Sequence, residues 1–199
     1  GHHMYVVDTQ LMAYLTINDI PSVATRLQYC IEAIQVWCNS RRLQLNPTKT
    51  ELIWFGSKTN LKKIADLDLN LYIGLDIIKL VNVVRDLGVY LDSELSMEHH
   101  ISTVVRACFF HLRRLKSIRR ILGADVTSGL VSALVTTRMD YCNSILAALP
   151  QSSIDPLQRV QNAAARLITG TGTREHITPA LRSLHWLPVK FRITFKLCV

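Results

Sequence analysis

The chain has 199 residues, enough for one or two domains with a real core. Hydrophobic residues make up 49% and charged residues 19%, a balance that excludes a disordered chain. The 23 Lys+Arg against 15 Asp+Glu leave a formal charge of +8, which fits either a polyanionic partner such as nucleic acid or a merely basic domain. The opening Gly1-His2-His3-Met4 reads as an expression-tag remnant and is set aside. Cys30, Cys38, Cys108, Cys142 and Cys198 are dispersed without a CxxC pair, which suits buried thiols in a reducing compartment. No run reaches the roughly 18 to 20 apolar residues of a membrane span. The expected setting is intracellular, with nucleus and cytoplasm not distinguished.

In chain order, "YVVDTQLMAYL" (5–15) places a polar tip between apolar runs and predicts a hairpin. Ser22 is the expected cap of a helix whose apolar positions, from Val23 to Trp37, recur at three and four. Asn46-Pro47 predicts a turn, "TELIWFG" a strand, and "SKTNLKKIAD" a surface loop. Short strands follow in "LNLYIGLDIIKLV", turning at Gly74, and in "VVRDLGVYLD". After Ser96 the period becomes helical. Ile101, Val104, Cys108, Leu112, Leu115, Ile118 and Leu122 define a long amphipathic helix, capped by Ser96 and stopped by Gly123. A second helix is expected up to Pro150, and a third from Asp155-Pro156 to Gly170. A short helix and turn at "HITPALRSLHWLP" lead to a final amphipathic helix without a cap, the pattern of a piece cut from a longer chain. The fold class is α+β: a small antiparallel β/α portion followed by a mainly helical bundle.

Six ordered segments, "YVVDTQL", "LQLNPTKTELIWFGS", "VRDLGVYLDSELSMEHHI", "LVTTRMDYCNSILAALP", "LQRVQNAAARLITG" and "HITPALRSLHWLPVKFRITFK", resemble the C-terminal part of a reverse transcriptase from a non-LTR, LINE-type (jockey-like) retrotransposon. The resemblance implies a partial palm over 5–95, a helical thumb over 96–170 and a truncated post-thumb region over 171–199. It places "YVVD" on the hairpin of the Tyr-Ala-Asp-Asp motif and Lys49 on the lysine after the palm helix. "DLGVYLD" falls on the primer grip.

A polymerase clamps two divalent ions about 4 Å apart between carboxylates. The family uses Mg2+, a hard cation that takes oxygen ligands. Across Tyr5, Val6, Val7 and Asp8, valine stands where the resemblance implies the first metal-binding aspartate, and the family's partner aspartate would precede Tyr5. These residues favour a degenerate hairpin kept for structure over a site working in cis or completed in trans. The expectation is a chain that is no enzyme by itself and holds no cofactor, with Lys49 idle.

Binding needs no carboxylates. Arg106, Arg113, Arg114, Lys116, Arg119 and Arg120 lie on the long predicted helix, and Arg113, Lys116 and Arg120 share one face. That face suits an RNA or RNA/DNA duplex backbone, or simply solvent. Arg159, Arg166, Arg174, Arg182, Lys190, Arg192 and Lys196 form a more dispersed group. The adjacent His99 and His100 point to different faces and make a poor metal pair, and His176, His185 and Trp186 read as packing residues. The alternative function is a protein-interaction module, or a homo-oligomer formed through an exposed palm edge.

Overall fold

The computed structural model describes residues 9–14, 16–64, 67 and 70–199. The fold is α+β, mainly helical, with two small two-stranded sheets. It divides into two compact units, one of residues up to Val84 with Ser93–Leu95, the other of Arg85–Asp92 with Ser96–Val199. The "YVVD" positions lie outside the described residues. Residues 9–14, the far limb of the expected hairpin, carry no strand, and Met12 and Tyr14 are exposed.

The first unit is organised by α1 (Ile20–Ser40), which begins two residues before the expected Ser22 cap. A single 3-10 turn, Ile17–Asp19, leads in, and Asp19 accepts hydrogen bonds from the Thr16 hydroxyl and amide. The Thr16 hydroxyl holds the Asp19 carboxyl below its ordinary range. With Pro21 in its first turn, where a missing amide costs nothing, the helix starts there instead. The segment expected to be a surface loop contains α2 (Lys58–Ile64), because Leu61 and Ile64 pack with Ile20 and Trp54. The expected "TELIWFG" strand is also absent: only Leu52 bridges, to Leu80. A lone partner gives too little ladder to extend a strand.

Strands β1 (Leu71–Ile73) and β2 (Asp76–Ile78) form the antiparallel hairpin that the glycine predicts, with Leu71 opposite Ile78 and Gly74 at φ 63. Leu71, Ile73 and Ile78 bury against Ile31 of α1. Gln28 completes this contact by acting like a neighbouring strand. Its side-chain oxygen accepts from the Tyr72 amide at 2.8 Å, and its amide donates to the Tyr72 carbonyl at 3.2 Å.

Strands β3 (Val83–Asp86) and β4 (Val89–Asp92) make the second sheet. Leu87 (φ 43) and Gly88 (φ 87) form the two-residue turn, the left-handed pair that suits a twisted hairpin. The Tyr141 hydroxyl donates to the Leu87 carbonyl, and its ring lies 3.5 Å from where a Gly88 Cβ would stand. The long helix α3 (Glu98–Val131) follows. Its N-cap position is Met97 rather than Ser96, because the Asp92 carboxylate draws in the amides of both Ser96 and Met97, leaving the Ser96 hydroxyl to accept from Glu98. Gly123 leaves helical geometry (φ 72, ψ 176), as the sequence implies, but the chain resumes a helix at once.

The expected second helix ends well before Pro150. A π turn, Ser132–Thr136, leads to α4 (Thr137–Asp140), which stops where Tyr141 goes extended and Cys142 turns left-handed. Asp140 is held there by the Arg192 guanidinium, and its carbonyl accepts from Lys196. The third helix, α5 (Gln151–Thr169), starts after Pro150 and carries Pro156 inside it, four residues earlier than expected; Gly170 ends it at φ 74 as expected. Then come α6 (Thr178–Ser183) and α7 (Val189–Cys198).

One core unites the second unit. Ile101, Cys108 and Leu112 of α3 meet Leu157, Val160 and Ala164 of α5, and Val189 and Ile193 of α7 close it. Gln158 accepts from the Val189 amide and Gln161 donates to the Leu187 carbonyl, so α5 fixes the entry to α7. Burial pushes the Cys108 thiol up to about 11, which keeps it protonated and unreactive.

His100 is buried beside β4, and its Nδ1 accepts from the Tyr90 amide at 3.4 Å. Desolvation, and secondarily His99, lower its pKa below 6.5. The unfolded chain therefore binds more protons as pH falls through 6.5, and this contribution to stability is lost toward acid. The urea midpoint should fall between pH 7 and pH 5 by more in the parent than in His100→Asn, and equal falls would reject the assignment.

Candidate nucleic-acid interface

The basic residues of α3 do not act as one set. Arg106, Arg113, Lys116 and Arg120 are exposed, and among the described residues none of the four has a hydrogen-bond or ion-pair partner. Arg106, Arg113 and Arg120 are spaced by seven, which returns each to nearly the same side of the helix, with Lys116 one turn from Arg113. Arg114 is also exposed, but its guanidinium lies 5.5 Å over the Phe110 ring. Arg119 is committed internally. Its Nε and Nη2 donate to the Leu167 and Ile168 carbonyls, each at 2.9 Å, capping the last turn of α5. Charge spacing alone marked these six residues equally; the difference depends on where α5 ends.

The second basic group divides similarly. Arg159, Arg174, Arg182 and Lys190 are exposed, Arg166 donates to the Gly172 and Glu175 carbonyls, and Arg192 and Lys196 hold Asp140. Lys49 is exposed at the end of a 3-10 turn, Pro47–Lys49, where the Asn46 side chain accepts from the Thr48 amide. His99 meets the Tyr90 ring edge-on at 4.8 Å, and Trp186 packs on the core as expected. His176 and His185 are instead exposed, His185 because it occupies a left-handed turn after α6.

Sequence reasoning missed a groove beside the basic face. Its volume is about 720 Å³, and it lies between α3 and the first turns of α5. Among the described residues, no three His, Cys, Asp or Glu side chains group as a metal site, and no helix is long and apolar enough to cross a membrane. In the first unit, Tyr29, Val36 and Trp37 of α1 are exposed, at 67%, 70% and 56%, which leaves an apolar stripe uncovered. No family model, curated protein or solved structure matches the chain.

Proposed function

We propose that the chain is a catalytically inactive piece of a LINE-type reverse transcriptase that retains weak, sequence-independent binding of RNA or RNA/DNA duplex through α3. The observation that carries this reading is the set of four exposed, unpartnered cations, Arg106, Arg113, Lys116 and Arg120, on one helix of a chain with net charge +8. Such a row follows a phosphate backbone and gains from counterion release. Contacts confined to phosphates position a duplex without reading its sequence. The proposed loss of polymerase activity rests on Val7 and on the family's partner aspartate having no counterpart in the sequence.

A single experiment tests both halves. A labelled primer–template incubated with nucleotides and Mg2+ or Mn2+ should be retarded on a native gel at low salt and remain unextended on a denaturing one. Extension above a buffer control rejects the inactivity, and no retardation rejects the binding. The apolar stripe on α1 favours a second reading, association through protein contacts. Light scattering on the same sample separates the two readings, since self-association would raise the mass without nucleic acid present.

A further inference from the structure

The groove between α3 and α5 is more than a margin of the basic face. Four turns of α3 line one wall, with Glu98 at its start, then Val105, Arg106, Phe109 and Arg113; Ser152 and Ser153 of α5 form the other. Arg106 and Arg113 stand about 10 Å apart along the helix axis, with Phe109 between them. An aromatic surface between two cations, faced by hydroxyl groups, is the composition that binds an unpaired nucleotide. The ring offers a stacking surface to any base, the guanidinium groups take the flanking phosphates, and the hydroxyls offer hydrogen bonds to sugar or phosphate. A paired base keeps its faces inside its own stack and has none to give Phe109. The carboxylate of Glu98 repels phosphate at its end of the groove, so a strand would lie toward Arg106 and Arg113.

We infer that this groove seats an unpaired nucleotide of single-stranded RNA or DNA, its base against Phe109 and its phosphates at Arg106 and Arg113. The inference rests on the reading of α3 as a nucleic-acid grip and adds a preference that the grip alone lacks: duplexes with single-stranded overhangs should bind better than blunt ones.

Fluorescence anisotropy with a blunt RNA duplex, the same duplex carrying a four-nucleotide overhang, and the free single strand tests it. The overhang should improve affinity about tenfold, the scale of one base–aromatic stack. Phe109→Leu, which keeps the apolar volume and removes the ring, should erase that gain and leave blunt-duplex affinity unchanged. Because Phe109 also packs against the core, Ser152→Trp serves as a second variant, obstructing the groove from its exposed wall. A full overhang gain in both variants overturns the proposal. So does a groove-dependent response to a glutamate-rich amphipathic peptide with none to oligonucleotides. Loss of blunt-duplex binding with a Phe109-dependent single-strand signal intact would reject the duplex grip and leave the groove standing.

Discussion

Changing Arg113, Lys116 and Arg120 together to glutamate should abolish measurable retention of RNA or hybrid duplex. Each cation that neutralises a phosphate contributes about 0.9 to the slope of log affinity against log salt on a duplex. Losing three contacts should flatten that slope by about 2 to 3. The reversal also turns three attractions into repulsions, so at 0.1 M salt an affinity loss of at least about a hundredfold is expected, measured by filter binding at two salt concentrations. The folded state should tolerate the change, because all three side chains are exposed and none has a partner among the described residues. An unchanged melting curve would therefore accompany the lost binding. Unaltered affinity in the triple variant would move the interface away from α3.

Leu157→Ala should be the most damaging single truncation in the second unit. Leu157 is 2% exposed and packs in the core formed by α3, α5 and α7. Removing a buried leucine side chain costs about 2 to 5 kcal/mol, the upper part when the surroundings cannot collapse into the space. Against a typical stability of about 5 to 15 kcal/mol, that lowers a urea midpoint by about 1 to 2 M. Leu157→Met, which keeps the volume, should cost less than about 1.5 kcal/mol. A Leu157→Ala midpoint within error of the parent would show that the α3–α5 packing is not what holds this unit.

Periodicity made α3 and α5 readable, since Ile101, Cys108, Leu112 and Leu115 repeat along the buried face just as their spacing requires. Gly74, Gly88 and Gly170 marked turns because their backbones need positive φ. Boundaries decided by contacts distant in sequence were not readable. α4 stops at Asp140 because its partner Arg192 lies 52 residues on, and α2 forms because Ile64 reaches Ile20. Pro156 read as a helix start, yet the helix begins at Gln151 and accommodates the ring inside its second turn. At the interface, sequence supplied the cations but not their states. Arg119 and Arg113 look alike as letters, and only the end of α5 makes one a cap and leaves the other free. The groove was hidden for the same reason, because Phe109 belongs to the core periodicity and Ser152 and Ser153 fall before the expected start of their helix.

The clasp of Arg192 and Lys196 on Asp140 also sets a schedule for biosynthesis. A ribosome adds about 5 to 20 residues per second, and α3 and α5 are complete well before α7 exists. Until Val189 and Ile193 emerge, the side of the core that they cover stays wet, and the Asp140 carboxylate lacks its guanidinium. For those seconds the nascent second unit presents greasy surface to its surroundings, the condition under which chaperones engage. A premature stop anywhere before residue 189 would make that transient state permanent.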